Sequence, residues 1–186
     1  MNNEALLIID YTNDFVADKG SLTCGLPAQK IEKQIVSLAE QFLKENKWVI
    51  LPTDLHFKNN PYHPETKLFP PHNLGHTWGR EFYGELQKWY EDNKDKDNDH
   101  VLMLDKTRYS AFCGTNLDLF LRERKITTLH LTGVCTDICV LHTAVDAYNK
   151  CYKLVVHKNA VASFDETGHK WALNHFKTCL DAKIID

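Results

Sequence analysis

Short apolar runs that alternate with segments of helical spacing constrain the fold of this chain more than any other feature. The runs are rich in Val, Ile and Leu and lack strict alternation with polar residues, which is typical of strands buried on both faces of a sheet. They cover residues 5–9, 48–51, 101–104, 128–134 and 154–156, and residues 183–185 are a further candidate strand.

The segments between these runs have the spacing of helices that are apolar on one side. The clearest is residues 31–42, which Pro27 is suited to start, and residues 117–121, 144–148 and 172–180 repeat the pattern. Alternating strands and helices imply right-handed crossovers and a parallel sheet. We therefore expect an α/β three-layer doubly wound fold, with a mostly parallel sheet of about six strands covered by helices on both faces. The length, 186 residues, predicts one domain over residues 1–186.

Two stretches interrupt the alternation. Residues 55–79 form a long segment rich in Pro, His, Asn and Gly, with four aromatic residues, and a loop of that length in a compact domain is usually functional. Residues 91–100 are a run of charged residues, which predicts a solvated turn.

Composition excludes several classes of function. Twenty-two Lys and Arg stand against 25 Asp and Glu, giving a formal charge of −3 without a basic stripe, so nucleic acid is not an expected partner. The first apolar run meets Asp10 after five residues and has no positive leader, which argues against a signal peptide or a membrane span and predicts a cytoplasmic protein. In that compartment the six cysteines are expected to be free thiols.

Polar and nucleophilic residues follow the predicted strands. In an open parallel sheet ligands bind beyond the carboxyl ends of the strands. Asp10 follows the first strand, Asp54 and His56 the second, Lys106 the third and Cys139 the fourth. We expect these side chains to meet at one edge of the sheet.

Each of these residues also has a purely structural interpretation. Asp10 could cap a helix, Lys106 could be an exposed cation, and Cys139 could be a small buried hydrophobic residue among apolar neighbours. Against this, Thr136 or Asp137 is suited to cap a helix that holds Cys139 in its first turn. The positive end of that helix would favour a reactive thiolate.

A second group of residues has the composition of a metal site. Asp54 and His56 are two apart in extended chain and point the same way, and His72 would complete a set of two histidines and one carboxylate. Such a set suits one divalent ion, zinc first, with iron or manganese as alternatives. Glu65 is a candidate fourth ligand. His63 and His76 are spare histidines that spacing alone does not exclude.

Taken in order, these motifs resemble the isochorismatase-like cysteine hydrolases, and within them the nicotinamidases. The resemblance runs through nearly the whole chain. It rests on residues 9–15, the pair Asp54 and His56, residues 63–72, residues 106–112 and residues 132–144. It implies hydrolysis of nicotinamide to nicotinate and ammonia through a cysteine thioester, in NAD salvage.

The resemblance also implies a role for each matching residue. Cys139 would be the nucleophile, Asp10 the general base and acid, and Lys106 the cation that holds both in register. The backbone N–H groups of Cys135 and Cys139 would form an oxyanion hole after a cis Val134–Cys135 peptide. The remaining positions would be the aromatic walls of the substrate pocket, Phe15, Phe69 and Tyr109, and the metal ligands, Asp54, His56, His72 and Glu65, the last directly or through water.

One departure and several alternatives stay open. Thr12 stands where many relatives have glutamine, which bears on contacts around the site but not on the catalytic positions. The chain could be another isochorismatase-like amidohydrolase acting on a different small amide or ureido compound, although many such relatives lack a metal. A noncatalytic metal-binding or redox protein would use Cys135 and Cys139 with histidines. A nucleotide-binding domain is disfavoured because neither GxGxxG nor GxxxxGK[ST] occurs. Homo-oligomers are what the resemblance suggests.

Overall fold

A six-stranded parallel sheet forms the centre of the molecule. The computed structural model describes residues 3–94 and 100–186. The strands are β1 (Glu4–Ile9), β2 (Trp48–Asp54), β3 (Val101–Lys106), β4 (Thr128–Val134), β5 (Lys153–Ala162) and β6 (Lys183–Ile185). Their order is β3-β2-β1-β4-β5-β6 and all five pairings are parallel, which confirms the predicted α/β sheet.

Helices connect the strands. They are α1 (Asn13–Val16), α2 (Leu26–Gln29), α3 (Glu32–Lys44), α4 (Gly84–Asn93), α5 (Leu117–Glu123), α6 (Leu141–Asn149) and α7 (Glu166–Cys179). Two short 3₁₀ helices, Pro64–Lys67 and Trp78–Arg80, lie in or beside the long loop, and a π-helical turn, Thr136–Val140, precedes α6. Within residues 3–94 and 100–186, no helix has the length and apolar content that a membrane span requires.

The two faces of the sheet are covered by different helices. Along β1, Leu6 and Ile8 pack into a core shared with α3 and α4, whereas Leu7 and Ile9 pack into a second core shared with α5, α6 and α7. All four side chains are fully buried. Burying an aliphatic side chain of this size contributes about 1.5–3 kcal/mol, so β1 anchors both layers. This arrangement confirms the three-layer prediction.

Three strands are longer than the apolar runs predict. β2 continues to Asp54 and β3 to Lys106, where these two residues are direct neighbours in register. The prediction that both residues follow their strands was therefore wrong by a few positions. Pairing continues because the Lys106 ammonium and the Asp54 carboxylate satisfy each other. β5 has ten residues and continues past His157 through a bulge opposite residues 131–133.

The helix boundaries also differ from the predictions. Pro27 lies in α2, which a turn at Lys30 and Ile31 separates from α3, so it does not start the long helix. The predicted turn over residues 91–100 begins inside a helix, because α4 runs to Asn93. Residues 95–99 of that run lie outside the described part of the chain.

Candidate active site

Three charged side chains meet at the carboxyl ends of the central strands. Lys106 Nζ lies 2.7 Å from Asp10 Oδ2 and 2.5 Å from Asp54 Oδ1, and all three residues are at most 1% exposed. Burial alone would lower the pKa of Lys106, but the two carboxylates outweigh it and raise the pKa well above its usual value. Lys106 is therefore a buried ammonium held between two acids, and the interpretation as an exposed cation is wrong.

Asp10 and Asp54 differ in their affinity for a proton. Asp10 has a positive φ of 53° directly after β1, and its Oδ1 accepts a 2.8 Å hydrogen bond from the Asp54 N–H. Burial, reinforced by the Asp54 carboxylate, raises the pKa of Asp10 to about 6. Burial would also raise the pKa of Asp54, but the Lys106 ammonium and His56 lower it to about 2. Of the two acids, Asp10 is thus the one suited to exchange protons near neutrality.

The Cys139 thiol completes this group. It is 5% exposed, and its Sγ lies 3.7 Å from Lys106 Nζ. Ligand atoms of Asp10, Asp54 and Cys139 all lie within 4.8 Å of one another. Lys106 contacts all three residues, and its ammonium balances the charge of the two carboxylates. The sheet has brought Asp10, Lys106 and Cys139 together as expected.

The expectation that Thr136 or Asp137 caps the helix that holds Cys139 was wrong. The Thr136 hydroxyl pairs with His169 Nδ1, at 2.8 Å, and Asp137 Oδ1 accepts from the Ser163 hydroxyl, so neither side chain caps a helix end. Burial raises the pKa of Cys139 well above its usual value, and Lys106 opposes this rise only in part. The thiol is protonated at rest and needs a base.

The backbone around Cys139 is wound more loosely than an α-helix. The Cys135 carbonyl accepts from the Ile138 N–H at 3.1 Å and from the Val140 N–H at 3.2 Å. In a regular α-helix that carbonyl would accept from the Cys139 N–H. The Val134–Cys135 peptide is cis, as the resemblance implies.

The four predicted metal ligands form one buried cluster. One ligand atom each from Asp54, His56, Glu65 and His72 lies within 4.8 Å of the other three. His56 Nε2 is 3.7 Å from Asp54 Oδ2, and His72 Nε2 is 3.5 Å from Glu65 Oε2. Among the described residues, His56 Nε2, His72 Nε2 and Asp54 Oδ2 are buried without a hydrogen-bond partner. Buried polar atoms are rarely left unsatisfied, and a divalent cation fits these donors.

Neighbouring contacts decide which histidines can bind a metal. The His72 Nδ1–H donates to the Pro70 carbonyl at 2.8 Å, which leaves Nε2 free to act as a ligand. His63 is saturated, because its Nε2–H donates to the Thr107 carbonyl and its Nδ1 accepts from the Glu65 N–H. His76 is exposed and outside the cluster. Both spare histidines are thereby separated from the ligand set.

A pocket with aromatic walls borders both the group around Cys139 and the cluster of predicted metal ligands. Phe15, Phe69 and Tyr109 line it together with Cys139, and Asp54 and Glu65 border it on the side of the cluster. The remaining lining residues are Leu22, Cys135, Ile138 and Phe164. Sequence reasoning did not find Leu22, Ile138 or Phe164, because a partly exposed apolar residue in a loop or turn has no distinguishing pattern.

A hydrogen-bonded brace holds the loop that carries His72. The Thr12 hydroxyl donates to Asn73 Oδ1 at 2.8 Å, and Asp14 Oδ2 accepts from the Asn73 N–H at 2.7 Å. A Cβ on Gly79 would lie 2.1 Å from the Asp14 carboxylate, so only glycine permits this approach. The Thr12 side chain therefore contacts the loop that carries His72 and not the side chains of Asp10, Lys106 or Cys139. Arg80 Nε–H donates to the Asp54 carbonyl at 2.7 Å and fixes the end of β2.

The cysteines do not support a metal or redox site built on Cys135 and Cys139. Cys135 Sγ lies 3.3 Å from Cys24 Sγ, and Cys135 is in neither of the metal-capable groups found among the described residues. Cys139 instead contacts Lys106.

A parallel α/β sheet with a buried thiol, lysine and aspartate at its carboxyl edge is suited to a cysteine hydrolase. The isochorismatase domain matches residues 4–186. The chain belongs to the isochorismatase family and is an amidohydrolase of the isochorismatase-like class. The resemblance found in the sequence is confirmed.

Several relatives and solved structures are similar to this chain over nearly its whole length. The isochorismatase family protein PncA of Bacillus subtilis strain 168 is 55% identical over 183 residues, 98% of this chain and 99% of the relative. The crystal structure of nicotinamidase/pyrazinamidase PncA from Bacillus subtilis has a TM-score of 0.96 and 54% identity, covering 99% of this chain and 100% of that one. Pyrazinamidase/nicotinamidase from Streptococcus mutans UA159 has a TM-score of 0.94 and 49% identity, covering 98% and 99%. Pyrazinamidase of Pyrococcus horikoshii in complex with zinc has a TM-score of 0.84 and 25% identity, covering 99% of each chain.

Proposed function

We propose that this chain is a nicotinamidase, which hydrolyses nicotinamide to nicotinate and ammonia and serves NAD salvage, with residues 1–186 acting as one domain. The observation that carries the proposal is that one pocket is lined by the Cys139 thiol, by aromatic walls and by two members of the metal-type cluster. A flat ring between aromatic side chains, with its amide next to the thiol, suits that pocket. The nicotinamidase structures that resemble this chain support the same substrate.

In the proposed first step, Asp10 takes the proton of Cys139 and the sulfur attacks the carboxamide carbon. Asp10 is suited to this task because its raised pKa lies near neutrality, while the thiol it serves is protonated at rest. Lys106 remains an ammonium throughout. Its contact with the sulfur stabilises the thiolate as it forms, and its contact with Asp10 keeps the carboxylate in reach.

The backbone of Cys135 and Cys139 would stabilise the tetrahedral intermediate. Negative charge develops on the former carbonyl oxygen, and preorganised N–H donors are worth about a hundredfold or more in rate in other hydrolases. The wide turn at Thr136–Val140, which pairs the Cys135 carbonyl with Val140 N–H, supports such a role for the Cys139 N–H.

Release of both products would again use Asp10. The protonated carboxyl gives its proton to the leaving ammonia, which leaves a nicotinoyl thioester on Cys139. Asp10 then takes a proton from water, the hydroxide attacks the thioester carbonyl, and nicotinate leaves as the thiol is restored. Atoms and charges balance as nicotinamide plus water giving nicotinate plus ammonium, because the proton of the carboxylic acid product passes to ammonia.

Asp54, His56, His72 and Glu65 would hold one divalent ion, with Glu65 binding directly or through water. These four residues would leave a bound ion with a coordination position for the pyridine nitrogen, which would help to orient the ring. Two histidines with carboxylates suit zinc, iron or manganese, and the zinc complex of the Pyrococcus horikoshii pyrazinamidase favours zinc.

The decisive experiment is to incubate the purified protein with nicotinamide, reductant and zinc, and to measure ammonia and nicotinate. We expect stoichiometric formation of both products, abolished in Cys139→Ala and retained in Cys179→Ala, a matched change at an exposed cysteine. Absence of product from the wild-type protein, with iron and manganese also tried, would overturn the proposed substrate. Turnover by Cys139→Ala would overturn the nucleophile. Ammonia from N-carbamoylsarcosine but not from nicotinamide would favour the alternative ureido substrate class.

A further inference from the structure

Phe164 occupies an unusual place between two cavities. It lines the aromatic pocket that contains Cys139, and it also lines a second cleft bounded by Pro27, Val161, Glu166 and His169. Within residues 3–94 and 100–186, Phe164 is the one residue that both cavities share. Phe164 therefore borders both the pocket and the cleft.

The side chain differs from the rest of the pocket wall in its exposure. Among the described residues that line the pocket, only Phe164 is exposed, at 51%, whereas Phe15 on the same wall is 5% exposed. Four other residues that line the pocket are buried: Asp54, Glu65, Cys135 and Cys139. Phe164 is thus the wall residue whose removal would cost the core least.

The backbone on either side of Phe164 is fixed by its neighbours. The Ser163 hydroxyl donates to Asp137 Oδ1 at 2.6 Å, in the turn that carries Cys139. The Asp165 carboxylate caps α7 by accepting from the Thr167 N–H and the Gly168 N–H, both at 3.0 Å. A substitution at position 164 therefore changes the ring without releasing the loop.

The neighbouring cleft has the character of a binding surface for an uncharged group. Pro27 and Val161 are apolar, and His169 Nδ1 is already paired with the Thr136 hydroxyl. Glu166 forms an ion pair with Lys170. An alkyl or aryl substituent could enter this cleft without leaving a charge unpaired.

From these contacts we propose that Phe164 is a specificity-determining residue, which closes the pocket against the cleft and restricts hydrolysis to small unsubstituted aromatic carboxamides. The cleft is then a latent subsite for the substituent of a ring-substituted nicotinamide. This inference rests on the proposed function, because it takes the aromatic carboxamide as the ligand of the pocket. It adds the residue that limits substrate size.

The test compares wild-type protein with Phe164→Ala on nicotinamide and on nicotinamides that carry methyl, propyl or phenyl groups at each open ring carbon. We expect Phe164→Ala to raise kcat/KM for at least one propyl- or phenyl-substituted amide tenfold or more relative to nicotinamide, chiefly through KM. Phe164→Leu should give an intermediate ratio and Phe164→Tyr a ratio like wild type. Trp171→Ala removes another exposed aromatic ring, on α7 and outside both cavities, and should leave the ratio unchanged.

The possible results distinguish failure of the proposed role of Phe164 from failure of the proposed nicotinamidase function. If wild-type protein hydrolyses nicotinamide and Phe164→Ala shows the same substrate ratio as Trp171→Ala, the role of Phe164 is wrong and the proposed function stands. If wild-type protein hydrolyses substituted amides but not nicotinamide, both the proposed substrate and the role of Phe164 are wrong. If neither protein hydrolyses any amide of the series, both are overturned.

Discussion

At the scale of single residues, the site depends on one lysine that neutralises two acids and contacts a thiol. Lys106 is buried with Asp10 and Asp54. Its contacts with these acids and with the Cys139 sulfur affect the protonation of all three groups. Removing one member of such a buried set leaves a charge without its partner, which is costly. Isosteric substitutions are therefore the informative ones.

Asp10→Asn is the sharpest of these changes. Asparagine keeps an oxygen for the Asp54 N–H but cannot take the thiol proton, so we expect ammonia release to fall by about 10² or more, the usual contribution of a general base. The measurement is steady-state ammonia release at saturating nicotinamide, with circular dichroism to verify folding. Asp18→Asn, at an exposed aspartate, is the control and should retain full activity. Near-normal turnover by Asp10→Asn would show that another group is the base.

The sequence could identify these residues because strand ends converge, but it could not describe their state. Polar residues at the ends of four apolar runs had to meet once the sheet was parallel, and Asp10, Lys106 and Cys139 do meet. The helix dipole was expected to favour the Cys139 thiolate, but burial and the carboxylates of Asp10 and Asp54 raise the pKa of the thiol. Phe164 was missed because its importance lies in two cavities that only the folded chain creates.

At the scale of elements, β5 carries a buried histidine, His157, which pairs with the half-buried His130 of β4 away from the candidate site. His157 Nε2 and His130 Nδ1 are 2.9 Å apart across β5 and β4, and the His130 ring packs edge-on against Phe42 of α3. Burial, with a smaller effect of His130, lowers the pKa of His157 to about 4 from its ordinary value of 6.5. The folded protein resists protonation here, so the unfolded chain binds the proton first as pH falls.

Stability should therefore decline on the acid side. The contribution of His157 is complete above about pH 6.5 and is lost progressively as pH falls towards about 4, on the order of 2 kcal/mol between pH 7.5 and pH 5. Urea unfolding at the two pH values measures it. His157→Gln should lose less free energy of unfolding over this interval than wild type, whereas His175→Gln, on α7, should lose as much. Equal losses in wild type and His157→Gln would contradict the prediction.

Sequence patterns located most elements and misjudged several of their ends. Six strands were predicted from apolar runs, yet β2, β3 and β5 extend further because polar residues continue the ladder when they have partners across it. The helix α4 was not predicted, although Leu86 and Trp89 are its buried residues at helical spacing. The charged residues at its carboxyl end belong to the run over residues 91–100, which was interpreted as a solvated turn. Pro27 was placed in the wrong helix because one turn separates α2 from α3.

At the scale of the whole molecule, the metal-type cluster links β2 to the long loop that follows it. Asp54 and His56 lie at the end of the strand, while Glu65 and His72 come from the loop, so a bound ion would cross-link them. An ion that binds the folded chain only, at about a hundred times its Kd, stabilises by about 2.7 kcal/mol, or about 5–10 °C in Tm for a chain of this size.

Thermal unfolding with zinc and with excess chelator tests this link, together with metal analysis of the purified protein. We expect chelation to lower the Tm of wild type by about that amount, and His72→Ala to show no response to zinc or chelator. His76→Ala removes an exposed histidine of the same loop and should respond as wild type does. A wild-type Tm that is indifferent to zinc, iron, manganese and chelator would argue against a resident ion.

The strand order has a consequence for how the chain acquires activity as it folds. Asp10 follows β1, Lys106 ends β3 and Cys139 follows β4, so the reacting groups lie far apart in sequence and become neighbours only through parallel pairings of distant strands. Contacts of this non-local kind form slowly, because the intervening chain must be ordered first. Recovery of amidase activity during refolding is then a late event, which reports completion of the sheet from β3 to β4 and lags behind the appearance of helical signal.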